Sequence, residues 1–562
     1  MNIISDINRT LSKVFKAKGY EESLAFCTYS DKPELSDFQC NASFQIAKSF
    51  KKNPLEIAEG LAELLNKEND GFEYSFVRPA FINIKFKNET MLSYLKVIEN
   101  DNCFGIEKEK AKKIIIDYGG PNISKPLHVG HLRSAVIGES IKRIAKFIGH
   151  EVISDIYLGD WGFPMGLVIA SLIEKGQTQS VTNEELNVIY PAASKRSKED
   201  EEFKNKALEI TKLLQAKKQP YYDIWKMIKK VSCDGMLNIY NKLNVKFDLW
   251  KGESDADPYL PKMEDILNKK GVLEESQGAL IVEVKEESDK EPMPPVRIKN
   301  AAGAYLYEST DLATILRRRE EYNPDEMWYV TDYRQNLHFV QVFRAAKKAG
   351  FVSDVGSLSH TGYGTMNGPD GKPFKTRDGD AVKLENLIEM VNESVKTKMK
   401  ESGREVNEDA EKIGIAAIKF GDLINLPQKD YVFDPEKFCS FEGKTGPYIL
   451  YTIVRIKSIL AKLETKPKLS NIRIEGSLRD SVINIFRFGN DFKEAHKLKA
   501  PSFIAASIYS LAASVNAFYN NTRILKESDE TLKLTYAKIL EIAVGVLETG
   551  CEVLAIEVPE RM

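Results

Sequence analysis

The chain reads as an α/β protein: a doubly wound parallel sheet carrying an insertion, preceded by an α+β unit and followed by an all-α one. Three observations predict this. Strand and helix signals alternate from 112 to about 170 and again from about 295 to 360, as expected when crossover helices cover both faces of a sheet. Between those stretches, over about 180 to 290, the chain becomes rich in charge, as in Lys195 to Lys206 and Lys285 to Glu291. Such runs predict solvated helix faces and interrupt the alternation. After about 400 only helical periodicity remains.

Residues 1–106 form the first unit. Asn53-Pro54 opens a helix over Leu55 to Leu65, because proline lacks the N–H that would go unpaired at a first helical position. Phe81 to Phe86 alternates as a strand. The charged stretch Glu107 to Lys113 is a joint to the central unit, 107–395. There Ile114-Ile115-Ile116 marks a short buried strand from Lys112 to Tyr118. From Leu132 the apolar positions Val136, Ile137, Ile141, Ile144, Ala145 and Ile148 follow in steps of three and four, and Gly149 stops the helix. The last unit, 396–562, predicts helices over Pro447 to Leu463, Phe503 to Tyr519 and Tyr536 to Leu547.

At 562 residues the chain exceeds what one core can organise, so three or four domains are expected. Lys plus Arg (80) nearly cancels Asp plus Glu (82). A nucleic-acid partner would therefore need its basic groups clustered. The six cysteines are scattered without a C-x-x-C, which fits a reducing cytosol and argues against a disulfide frame or zinc finger. Asn2, Asp6 and Lys13 interrupt any leader-like run, and no unbroken apolar run approaches the length of a membrane span. A soluble cytoplasmic protein without membrane contact is the expectation.

The chemistry concentrates in Pro121-Asn122-Ile123-Ser124-Lys125-Pro126-Leu127-His128-Val129-Gly130-His131. An H-x-G-H arises by chance roughly 0.004 times in a chain of this composition, so coincidence is a poor account. The segment falls where the strand hands over to the helix, and free N–H groups and the macrodipole there favour an anion. Gly130 admits a ligand close to the backbone. Imidazole N–H donors at His128 and His131 can hold a phosphate and stabilise the charge that develops when it is attacked. A plain N-cap is the alternative; a zinc site lacks a third ligand nearby and the usual spacing. Carboxylates at Asp117 and Asp311, with the aromatic Tyr307 one helical turn before Asp311, suit a pocket for a cation. Asp117 also suits a turn and Asp311 an N-cap.

The motif resembles the HIGH signature of class I aminoacyl-tRNA synthetases. Its P-N-x-x-K-x-x-H-x-G-H-L-R-S form is similar to that of arginyl-tRNA synthetases. Gly159-Asp160-Trp161-Gly162, Tyr307 to Ala313, Arg334 to Gln341, Thr445 to Tyr451 and the closing Pro559-Glu560-Arg561-Met562 resemble further segments of that family in order. The resemblance implies a Rossmann-like catalytic domain with a connective insertion, an N-terminal domain that contacts the tRNA elbow, and a helical anticodon-binding domain. It implies ATP-dependent ligation of L-arginine to tRNA(Arg) through arginyl-adenylate, with Mg²⁺ bridging phosphates, by a monomer that needs tRNA before it activates arginine. Asp117, Tyr307, Asp311 and Gln335 would line the guanidinium side and Asn122 the α-amino end, with His128 serving arginine and ATP alike. His128, Gly130, His131, His338, Lys372 and Lys375 would meet ATP. Asn83, Tyr448, Tyr451, Arg455, Asn521, Arg523 and Met562 would meet tRNA. Gly371 to Gly379 resembles the K-M-S-K-S loop, keeping cations at Lys372, Lys375 and Arg377 but departing at the second lysine. The resemblance implies that Lys125 takes over that charge, so Lys125, His128, His131, Lys375 and Arg377 form the expected catalytic set.

Overall fold

The computed structural model describes residues 3–32, 35–368, 370–374 and 382–562. Its centre is a parallel four-stranded sheet in the spatial order Leu358–Tyr363, Glu326–Asp332, Lys113–Tyr118, Glu151–Asp155. The isoleucine triplet of Lys113–Tyr118 is buried, as the unbroken apolar run predicts for a strand covered on both faces. The chain leaves this strand through the helix Val129–Phe147 to reach Glu151–Asp155 on one side. Glu326–Asp332 lies on the other side. The order therefore reverses between Lys113–Tyr118 and Glu326–Asp332, the place where open α/β sheets bind ligands.

The insertion supplies the helices Asn183–Glu199, Glu201–Gln215 and Tyr221–Lys242 and a small antiparallel sheet, Glu274–Ser276, Ala279–Val282 and Val296–Lys299. Lys195 to Lys206 is a solvated surface as expected, with exposed pairs from Arg196 and Lys206 to Glu174. Lys285 to Glu291 differs: it forms no helix face. This stretch is a loop tied down by Asp289, which pairs with Arg344 at 2.7 Å.

The N-terminal region packs the helices Ile3–Ala17, Ala42–Phe50, Pro54–Lys67 and Asn88–Glu99 with an antiparallel sheet ordered Thr28–Tyr29, Phe38–Cys40, Phe81–Phe86, Phe72–Val77. Asn53 accepts a hydrogen bond from Leu55 N at 3.0 Å, capping the helix that Pro54 opens. The C-terminal bundle comprises Gly446–Leu460, Gly476–Leu498, Ser502–Asn521 and Glu530–Val553. Gly476–Leu498 is absent from the sequence expectation. The stretch Ser502–Lys526 is long and apolar enough to cross a membrane, yet half of its most apolar window is buried within the protein. A buried contact joins the bundle to the helix Val129–Phe147, where Ser140 Oγ donates to Val553 O at 2.9 Å, and within the C-terminal region Lys419 Nζ donates to Ala555 O at 2.6 Å.

Candidate active site

His128 is the N-cap of Val129–Phe147. Its Nδ1 accepts from Gly130 N at 3.0 Å, and His131 Nδ1 accepts from His128 N at 3.1 Å. A histidine pair thus forms a reciprocal capping box, a role that Ser and Glu usually share. The cap fixes the tautomers. With each Nδ1 occupied as an acceptor, each ring must carry its proton on Nε2. Burial pushes the His131 imidazolium well down, to about 3, with His128 adding to it, and burial also lowers His128. Both rings are therefore neutral Nε2–H donors at physiological pH. The helix dipole adds partial positive charge beside them, but the N–H groups of Val129, Gly130 and His131, expected to be free, are taken by Val382 O, His128 Nδ1 and His128 O. A side chain at Gly130 would strike the His128 ring at 2.8 Å, so this glycine is required by the cap as much as by any ligand.

Next to the cap, at the switch point, lies a cavity of about 490 Å³. Its walls contain Asp117, Asn122, His131, Tyr307, Asp311 and Gln335, six residues drawn from separate parts of the sequence and all foreseen. Tyr307 and Asp311 stand one turn apart at the start of Tyr307–Tyr322, so Asp311 is inside the helix and not its N-cap. Asn122 approaches through Gly159, whose Cβ, if present, would lie 1.9 Å from Asn122 Oδ1. His338 meets this group too: its Nε2 stands 2.6 Å from Asp311 Oδ2, and its ring centroid 4.8 Å from that of Tyr307. Asp117 does not present a free carboxylate. Its Oδ2 is held at 2.6 Å by the buried Arg318.

Sequence reasoning missed Glu253, which lines the same cavity with Tyr157 and Asp332. Nothing around Glu253 marks it locally. The signal was Asp160 of the G-D-W-G segment, fully buried, which accepts from Ser254 N at 2.9 Å, Ser254 Oγ at 2.6 Å and Lys229 Nζ at 2.5 Å. Asp160 is thus an anchor that delivers Glu253. Burial, then Asp160 and Asp311, push the Glu253 carboxyl up to about 7. Carboxylates this close are costly without a cation between them. Glu253 has no ion pair among the described residues to offset that cost.

The cationic side is less gathered. Lys125 places its ammonium 4.6 Å from the ring centre of Tyr190 in the insertion and does not line the cavity. Lys372 is exposed in a turn closed by Gly368 N donating to Lys372 O. Lys375 and Arg377 lie outside the described residues. The described chain resumes at the motif: Val129 N donates to Val382 O at 3.0 Å, and Leu384 N to Leu127 O at 2.9 Å, which places Val382 to Leu384 beside His128. Far from the sheet, Tyr448, Tyr451 and Arg455 line a second cavity with Arg404, Asn516 and Lys398. The Arg455 guanidinium lies 3.9 Å from the Tyr519 ring centre. Asn521 and Arg523 are exposed at the end of that helix, Met562 is half-buried, and Asn83 is buried with its Oδ1 accepting from Gln39 at 3.1 Å.

A doubly wound sheet with an imidazole pair at its first crossover and a carboxylate-lined cavity beside it is the arrangement of a class I aminoacyl-tRNA synthetase. The family model described as tRNA synthetases class I (R), catalytic domain, matches residues 94–435, the DALR anticodon binding domain matches 449–562, and the arginyl tRNA synthetase N terminal domain matches 1–86. An arginine–tRNA ligase of Agathobacter rectalis is 43% identical, and one of Alkaliphilus oremlandii 41%, each alignment covering 100% of both chains. The fold is that of the arginyl-tRNA synthetases of Plasmodium falciparum (TM-score 0.83, 24% identity, covering 100% of this chain and 98% of that one) and Thermus thermophilus (TM-score 0.79, 20% identity, 100% of both). The chain belongs to the arginyl-tRNA synthetase family: it attaches arginine to tRNA(Arg) in an ATP-dependent reaction of protein synthesis.

Proposed function

We propose that the cavity at the switch point holds arginine with its guanidinium toward Asp311, Glu253 and Tyr307 and its α-amino end toward Asn122, with Asp117 and Gln335 completing the wall. The observation that carries this reading is Glu253, the cavity carboxyl with no ion pair among the described residues, which burial and its acidic neighbours push up to about 7, whereas Asp117, Asp311 and Asp332 already meet Arg318, His338 and Arg334. A bound guanidinium supplies that charge and meets carboxylates in its forked geometry. The arginine carboxylate then points toward His128 and His131, where ATP binds, with His338 and Lys372 on its flanks.

The reaction has two steps. The arginine carboxylate attacks the α-phosphate in line, the bond to the β-phosphate breaks, and pyrophosphate leaves. The 2′-hydroxyl of the terminal adenosine of tRNA next attacks the arginyl carbonyl and AMP leaves. The two Nε2–H groups donate to α-phosphate oxygens as negative charge builds there, and their neutrality lets them do so without a proton changing hands. Orientation supplies the remainder. Lys125, Lys375 and Arg377 neutralise the leaving pyrophosphate, and Lys125 reaches it by leaving Tyr190. Among the described residues the His, Cys, Asp and Glu group with metal-ligand spacing is Glu109, His150 and His496, past the far end of the motif helix. Mg²⁺ would therefore be held by the phosphates, not a carboxylate cage, and would add charge neutralisation there.

Residues 1–106 would contact the tRNA elbow and 396–562 the anticodon, through the second cavity and its Tyr448, Tyr451 and Arg455. A cytoplasmic monomer that activates arginine only with tRNA bound completes the reading. ATP–pyrophosphate exchange measured with each amino acid, with and without tRNA, tests it. Exchange driven by arginine in the presence of tRNA is expected; exchange driven by lysine or glutamine instead would sink the pocket assignment.

A further inference from the structure

Behind the wall of the arginine cavity lies a buried charge network that takes no direct part in binding. Arg318 is fully buried and touches strands on both sides of the motif strand's carboxylate row. Its Nη2 lies 2.6 Å from Asp117 Oδ2 and 3.0 Å from Asp155 Oδ2, on adjacent strands. The guanidinium carbon is 5.6 Å from the ring centre of Tyr157 and 5.5 Å from that of Tyr329. Asp117, Tyr157 and Tyr329 all line the cavity, so three wall residues rest on one guanidinium. Positions 307, 311, 314 and 318 share a face of the helix Tyr307–Tyr322. Tyr307 and Asp311 therefore enter the cavity from the same helix face that carries Arg318, and Thr314 between them donates to the Tyr157 hydroxyl at 2.9 Å. Arg317 Nη2 donates to the same Asp155 Oδ2, at 3.3 Å.

We propose that Arg318 is a positioning residue for arginine: it holds Asp117 ionised through Oδ2, leaving Oδ1 to accept from the substrate, and it reaches the substrate only through Asp117. This rests on arginine occupying the cavity. Asp117 Oδ1 has no donor among the described residues. Buried carboxylates lose their charge unless a cation stands by. The groups facing Asp117 are Arg318 from the helix, Asp155 from the neighbouring strand and Asp311 across the cavity. Tyr307, Tyr329, Glu253 and His131 share the wall, and His338 sits on Asp311. Burial raises the Asp117 carboxyl to about 6 even with Arg318 in place. Without that guanidinium it rises further, so a cationic substrate loses an ionised acceptor at higher pH.

The test is the pH dependence of arginine-driven exchange in the full chain with tRNA, from pH 6 to 8.5. Wild-type exchange is measured first; if arginine drives none, the cavity's assignment falls and this proposal with it. Arg318→Met is expected to raise the arginine KM at least about tenfold at pH 6.5, with the penalty shrinking toward pH 8.5 and the ATP KM within about twofold. Arg318→Lys, which keeps the charge, recovers most of the loss. Because Glu253 also titrates in this range, the same substitution is made in Asp117→Asn, where it should no longer move the acid limb. A penalty independent of pH, an equal rise in the ATP KM, or a limb shift that persists without Asp117 would overturn the proposal. Should Arg318→Met fail to melt cooperatively, Asp117→Asn alone decides: it must remove part of the wild-type acid limb, and an unchanged limb counts against the assignment.

Discussion

The cavity on the sheet and the one among the C-terminal helices differ in the charge they gather. One lies on the sheet and gathers Asp117, Glu253, Asp311 and Asp332. The other lies among C-terminal helices and gathers Lys398, Arg404 and Arg455 with Phe441, Tyr448 and Tyr451, against two carboxylates, Glu401 and Glu442. On the proposed reading the first takes a cationic amino acid and the second a stacked base and its phosphates. A formal net charge of −2 conceals this separation, because it is the sum of clusters with opposite sign. Net charge speaks to partners only after the groups have been placed in space.

The sharpest way to break the comparison is to remove charge from one cavity and read both. Glu253→Gln is nearly isosteric and is expected to raise the arginine KM about 30- to 100-fold, the worth of a desolvated charge-assisted hydrogen bond, while tRNA affinity stays put. A matching loss of tRNA affinity would show that the cavities are not independent. A smaller effect is expected at the phosphate side. His128→Ser keeps an N-cap side chain but lacks the Nε2–H, so adenylate formation slows at least about tenfold with the melting temperature nearly unchanged. If His128→Ser matches wild type in single-turnover adenylate formation, the histidine pair serves the cap alone. The mildest effect belongs to the second cavity. Arg455→Ala should weaken tRNA binding about tenfold and leave the arginine KM at saturating tRNA unchanged, in a filter-binding and exchange comparison.

Much of this was legible before any coordinates. The triple isoleucine, the stripe from Leu132 to Ile148 and the stop at Gly149 place the motif on a strand-to-helix turn, and the helix Val129–Phe147 follows it closely. Those signals are local, because helix periodicity and capping involve residues three or four apart. The helix Gly476–Leu498 escaped notice, although its apolar positions Leu478, Val482, Ile485 and Phe486 are regularly spaced. Serine, asparagine and glycine interrupt the pattern, and packing against Ser502–Asn521 overrides their weak propensities.

Sequence alone determined the fold class and the H-x-G-H site at a helix start, because each is written in short-range periodicity or in a motif of fixed spacing, and the family resemblance pointed to residues such as Asn122 and Gln335 that line the sheet cavity. Tertiary structure decided how those residues are charged and held. Glu253 enters the cavity because Asp160, 93 positions earlier, binds the turn that carries it. Asp117 meets Arg318 across 201 positions, and Lys125 rests on Tyr190. Pairings of that kind depend on which elements pack together, and a burial energy spread over the whole core chooses the packing.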